Sequence, residues 1–127
     1  MTKISFKKFS KVDTEKFKSL NLEWLDRYFK VEPIDELVLN DPEREIVGKG
    51  GFIFMIQKNY NTIGTFAFIK KTEKIYEFSK MAIAPEERGN GYGNKAMVFI
   101  IEFAKNKKWS KLILYSNTKL KNSIHLY

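Results

Sequence analysis

The run Ser79–Asn94, SKMAIAPEERGNGYGN, decides how the rest of this sequence reads. Its first residues continue a β-prone segment that begins at Ile75, and Gly91 opens a segment of helical periodicity. Between strand and helix stand Arg88, Gly89, Asn90, Gly91, Tyr92 and Gly93. Glycines let the main chain turn tightly and come close to a ligand. A helix that starts there offers unpaired N–H groups and the positive end of its dipole. The combination makes an anion site suited to phosphate or diphosphate, with Arg88 expected to add a permanent charge beside it. Two other phosphate motifs do not fit. A P-loop needs Gly-Lys followed by Ser or Thr, and Gly48-Lys49 is followed by Gly50. The dinucleotide fingerprint needs G-x-G-x-x-G and a carboxylate ~20 positions on. Here the spacing is G-x-G-x-G, and the region around Ile113 has no acidic residue.

Upstream of this run lie three strand candidates: Phe52–Gln57, Thr62–Ile69 and Ile75–Ile83. Lys58–Asn61 and Lys71–Lys74 supply the turns, so the three should form an antiparallel meander. Downstream, Ala96, Met97, Ile100, Ile101, Phe103 and Ala104 give a helix a broad apolar face. Trp109–Ser116 carries another strand, and a last helix is expected from Thr118 to Tyr127. Before the meander, Ile4–Phe9 reads as a strand. Asp13 or Thr14 can cap a helix whose apolar residues Phe17, Leu20, Trp24, Leu25, Tyr28 and Phe29 recur at helical spacing. Pro33 opens a short helix to Leu39, which Asn40-Asp41-Pro42 ends. The expected class is α/β (α+β): a mixed, mostly antiparallel central sheet flanked by helices, with a strand–helix–strand crossover after the meander.

Arg88-x-x-Gly91-x-Gly93 resembles the R/Q-x-x-G-x-G/A signature of the GNAT superfamily of N-acetyltransferases. The resemblance extends to Phe78–Pro85, to Gly50–Ile53 and Ile63–Thr65, and downstream to Leu112–Asn117 and Ser123–Tyr127. It implies a GNAT-like acyl-coenzyme A fold over one domain, residues 1–127. It also implies direct transfer of acetyl from acetyl-coenzyme A to a primary amine on a small molecule, peptide or protein. By that resemblance the amides of Gly89, Asn90, Gly91, Tyr92, Gly93 and Asn94, with Arg88, hold the coenzyme diphosphate. Met81, Ala82 and Ile83 pair with its pantetheine arm, and Lys111–Asn117 splays away to open the cleft. Asn117 or Asn122 is expected to stand in for the asparagine that relatives carry where this chain has Leu120.

The attacking amine must be neutral, yet a lysine-like amine has a pKa of ~10.4, so a base is useful. Glu77 is the candidate, expected to alternate onto one strand face with Ser79, Met81 and Ile83. Tyr127 stands where the family helix carries a tyrosine that protonates the leaving thiolate. Relatives continue past this point with strands that cover Lys111–Asn117. Their absence here leads us to expect an open sheet edge, to be covered by a further segment or a second copy.

The 127 residues are 43% hydrophobic and 15% aromatic, enough for a core that buries about two-thirds of the unfolded surface. There is no cysteine, no apolar run near the ~20 residues of a membrane span, and no secretory leader in MTKISFKKFS. A cytoplasmic location is expected, with no membrane partner. His125 is the single histidine and no calcium-loop spacing occurs, so no metal is expected; His125 reads as a helix-surface residue. The net charge of +8 suits an anionic partner. After Glu102 the residues Lys105, Lys107, Lys108, Lys111, Lys119 and Lys121 stand without acidic company. Two rival functions stay open: a module that binds acyl-coenzyme A without transferring the acyl group, and a basic nucleic-acid-binding module using interleaved rings such as Phe6-Lys7-Lys8-Phe9. No nucleic-acid motif supports the second.

Overall fold

The computed structural model describes residues 2–28, 33–115 and 121–126. Strand β1 (Ile4–Lys8) is followed by a 3-10 turn, Lys11–Asp13, and helix α1 (Thr14–Tyr28). Helices α2 (Pro33–Asn40) and α3 (Pro42–Glu45) come next. The residues expected to end the second helix also start the third: Asp41 caps it by accepting the Arg44 amide, and Pro42 fills its first position. Strands β2 (Phe52–Lys58), β3 (Asn61–Lys70) and β4 (Ile75–Ile83) form the expected meander. Helix α4 (Tyr92–Asn106) crosses to β5 (Lys111–Tyr115), which runs parallel to β4.

The C-terminal expectation is overturned. Lys121–His125 is not helix but strand β6, antiparallel to β5, and His125 is a strand residue. The run has no helical periodicity to hold it, and pairing satisfies a main-chain edge that would otherwise stand open. The outer edge of β5 is therefore covered by the chain itself. Among the described residues the strands follow one another in the order β1-β2-β3-β4-β5-β6.

Alternation along the strands separates two cores. On one face α4 lays Ala96, Ile100 and Ala104 over Phe54, Ile56, Phe66, Phe68 and Leu112. Trp109, just past the helix, stacks on Tyr76 with ring centroids 3.8 Å apart. On the other face Phe17 of α1 meets Ile53, Met55 and Ala67, joined by Leu39 and Ile46. Further along α1, Leu20 and Trp24 pack on Ala82 and Ala84. The same helix thus runs from the sheet centre to the end of β4, where the glycine loop begins.

Candidate active site

Strand β4 carries the unusual geometry. Tyr76 and Phe78 face the α4 core, and Phe78 pairs with Phe68. Ser79 pairs with Ala67 of the α1 core. The register then slips: Ala82 pairs with Thr65, so Lys80 and Met81 together oppose Phe66. Lys80 takes φ of 58°, the left-handed region, as one residue of a β-bulge does. Beyond the bulge the parity is reversed, with Met81 and Ile83 against the α4 core and Ala82 and Ala84 against α1. Glu77 and Ser79 therefore lie on the opposite face from Met81 and Ile83. This corrects the simple alternation, which fails because the bulge adds one residue to the strand.

The pairing between β4 and β5 is brief. It runs from Ile75 with Lys111 to Glu77 with Ile113. After Glu77 the strands part, and the β5 side of Phe78–Ile83 is left without a neighbouring strand among the described residues. Glu77 stands at the fork. Its carboxylate is mostly buried, with Oε1 3.3 Å from Nζ of Lys71.

Past Ile83, Ala84 leads into a 3-10 turn, Pro85–Glu87, and then the glycine loop. Gly89 and Gly91 have φ of 81° and 78°, and Gly91 is the N-cap of α4. The first main-chain bond of α4 is Lys95 N–H to Gly91 O. Among the described residues no acceptor meets the amides of Gly89 to Asn94. A Cβ built at Gly89, Gly91 or Gly93 meets nothing within 4 Å, so the space over the loop is open. These amides and the helix dipole fit a diphosphate.

The side chains around the loop do other work. Tyr92 is buried in the α4 core, which leaves its amide for a ligand. Asn90 donates through Nδ2 to Glu87 O at 3.1 Å and closes the turn. Arg88 departs from expectation. Its Nε donates to Ile83 O at 2.9 Å, a terminal nitrogen bonds Glu23, and the guanidinium lies 4.7 Å from the Trp24 ring centroid. The positive charge is turned back onto α1 rather than toward the loop opening. Lys58 pairs with Glu87 at 2.9 Å on the other flank. Glu23, Lys58 and Glu87 are not singled out by the sequence, and Trp24 only as an apolar residue of the first helix; Glu23 and Arg88 are 65 positions apart, and nothing local links them. The bulge had one: the large apolar side chains shift from even positions at Tyr76 and Phe78 to odd ones at Met81 and Ile83. Tyr127 and Asn117 lie outside the described residues.

A family model described as the Acetyltransferase (GNAT) family matches residues 17–127. This chain belongs to the GNAT acetyltransferase family. No curated protein matches the GNAT chain by sequence. Among solved structures, a GNAT acetyltransferase from Staphylococcus aureus aligns with a TM-score of 0.76 at 18% identity, covering 90% of this chain and 73% of that one. A predicted acetyltransferase from Clostridium acetobutylicum, solved with acetyl-CoA, gives 0.70 at 19% identity, covering 90% and 81%. The PaiA N-acetyltransferase of Thermoplasma acidophilum, in complex with coenzyme A, gives 0.68 at 16%, covering 90% and 79%. At such identities the likeness speaks for the GNAT fold. The splayed β4–β5 pair and the open glycine loop are this GNAT chain's own version of it. No described helix is long and apolar enough to cross a membrane.

Proposed function

We propose that this GNAT protein moves the acetyl group of acetyl-coenzyme A directly to a primary amine. The observation that carries the reading is the set of unpaired amides from Gly89 to Asn94 beneath open space, at the mouth of a forked strand pair. Two of the solved structures that share the fold hold acetyl-CoA or coenzyme A.

The residues divide the work by position. The amides of Gly89, Asn90, Gly91, Tyr92, Gly93 and Asn94 hold the diphosphate at the start of α4. The main chain of Met81, Ala82 and Ile83, free of a strand on its β5 side, pairs with the extended arm. Asn117 completes the proposed set. The bound coenzyme supplies an acyl thioester, a group activated toward amines. A main-chain N–H near the bulge serves as donor for charge that builds on the acyl oxygen.

Glu77 sits where β4 and β5 part, and we propose it as the base that takes a proton from the acceptor ammonium. Lys71 already lends that carboxylate one cation, so the arriving ammonium enters a shared ion site. Because of the bulge, Glu77 addresses the reaction from the α1 side, while Met81 and Ile83 lie against the α4 core. Tyr127 is proposed as the donor to the departing thiolate, a step that a phenol with pKa ~10 can serve.

Calorimetry with acetyl-coenzyme A tests the reading. Binding is expected in the wild type, and Gly91→Asp, which places a carboxylate over the loop, should abolish it. Thiol release with a panel of amines should be observed, and Glu77→Gln should lower kcat/KM by about 10²–10⁴. Absence of coenzyme binding, or binding unaffected by Gly91→Asp, would reject the proposal. Binding without thiol release from any amine would support an acyl-coenzyme A-binding module instead.

A further inference from the structure

Two adjacent residues at the loop entrance, Glu87 and Arg88, are tied to different parts of the fold. Glu87 is held by Lys58 at the end of β2, and Arg88 by Glu23 and Trp24 of α1. Arg88 also bonds Ile83 O, the last carbonyl of β4. One guanidinium thereby fixes three things together: the end of β4, the middle of α1, and the first residue of the glycine loop. Its side chain is 19% exposed and that of Glu23 34%, so the pair is partly withdrawn from water. A planar fork stacked on an indole makes these contacts at once; an ammonium cannot.

We propose that Glu23 is a positioning residue for the coenzyme site: it holds Arg88, and through Arg88 sets the loop geometry that leaves the amides of Gly89 to Asn94 open. The proposal rests on the coenzyme reading for its consequence, while the latch itself is a property of the free protein. Glu23 bonds Arg88, which precedes the amides of the proposed diphosphate site. It acts at a distance, because the loop has few other restraints. Glu87 and Arg88 donate their amides to Ala84 O and Pro85 O, and Asn90 returns to Glu87 O. After Asn90 the next bond is that of Lys95 to Gly91 O. Loosening Arg88 lets this stretch sample other turns, and anion affinity falls by the fraction of time lost.

The latch also places Trp24 and Glu23 of α1 next to the start of the loop. A change at the α1 end of the site would therefore reach the coenzyme end through one ion pair. Arg88 itself is the alternative to be ruled out, since a guanidinium that left Glu23 could meet a phosphate directly.

A double-mutant cycle separates the two. Coenzyme A affinity is measured by calorimetry for the wild type, Glu23→Gln, Arg88→Gln and the double variant. Each single variant should bind about 3–10-fold more weakly, as expected for one partly exposed charge-assisted contact. The double should be no weaker than the worse single. Melting temperature should move by no more than about 2 °C, a readout that a merely structural role would shift in step with affinity. Arg88→Lys should behave as Arg88→Gln does. Multiplying losses in the double variant, or a loss in Arg88→Gln with none in Glu23→Gln, would overturn the proposal in favour of a direct phosphate contact. Amide hydrogen exchange of the free protein decides the latch independently of the coenzyme. Glu23→Gln should speed exchange at Glu87, Arg88 and Lys95 but not in β3. Unchanged exchange there would overturn the latch. Failure of the wild type to bind coenzyme A would instead reject the transferase reading and leave the exchange result to decide the latch.

Discussion

The ammonium of Lys58 lies 2.9 Å from Oε1 of Glu87, joining the end of β2 to the turn that leads into the glycine loop. The hydrogen bond to Glu87 holds the lysine in its charged form and raises its pKa above the ordinary 10.5, against the opposing effect of partial burial. A raised lysine contributes its stability in full below that ordinary value and loses it only as pH climbs past the folded one, so the tie persists through the neutral range. Lys58→Met is expected to weaken coenzyme A binding about two- to fivefold, as befits a surface pair, with little change in melting temperature. Calorimetry at low and high salt checks it: the difference between the two proteins should shrink as salt rises.

Acid should find a different weak point. Asp13 accepts from Lys7 at 2.7 Å and from the Ser10 amide at 2.9 Å, pinning β1 to the start of α1. Burial pulls its pKa up, but the Lys7 bond, the Ser10 amide and the Lys7 charge together leave it below 3.8. A depressed carboxylate contributes stability above that value, and the contribution fades as pH falls through the folded pKa. Urea melts should show Asp13→Asn less stable by about 1 kcal/mol at pH near 7. The gap should close on acidification below about 3.8. A gap that stays constant with pH would contradict the role given to this carboxylate.

Glycines in this chain are of two kinds, and substitution should tell them apart. A Cβ at Gly51 would sit 2.4 Å from Phe68 O, with Ile46 on the other side, so Gly51→Ala should unfold or severely destabilise the protein. At Gly91 the same Cβ meets nothing, and the cost is that of the left-handed conformation, about 1–2 kcal/mol. Gly91→Ala should therefore fold, melt a few degrees lower and bind coenzyme less well. Circular dichroism melts of both variants, with calorimetry on the second, make the comparison.

Thr65 is fully buried on the α1 face and donates through Oγ1 to Phe54 O at 2.8 Å. Thr65→Val keeps the shape and removes the donor. It should cost about 1–2 kcal/mol in urea unfolding, and Thr65→Ser should recover much of the loss.

Much of this arrangement is legible in the chain, because periodicity speaks for itself where a segment buries one face. The meander, α1, α4 and the parallel return to β5 follow from apolar spacing and turn residues. The glycine loop is legible for the same local reason: G-x-G-x-G between a strand and a helix has few other uses. The C-terminal segment was misread because a short run of mixed residues such as Lys121–His125 has too little periodicity to choose helix or strand, and pairing with β5 chooses for it. The side of Glu77 was misread because one added residue near Lys80 undoes the count of two. The partner of Arg88 could not be found from sequence, since an ion pair between residues so far apart depends on how α1 lies across β4.

The reversal at Lys80 has an engineering consequence. Substitutions at Glu77 or Ser79 are felt beneath α1, and those at Met81 or Ile83 beneath α4, although all four belong to one strand. The portion of β4 that would meet an acceptor can thus be rewritten without disturbing the portion that would grip its carrier. Deleting Lys80 would leave Met81 alone opposite Phe66 and restore plain alternation, so both faces would keep the residues they now hold.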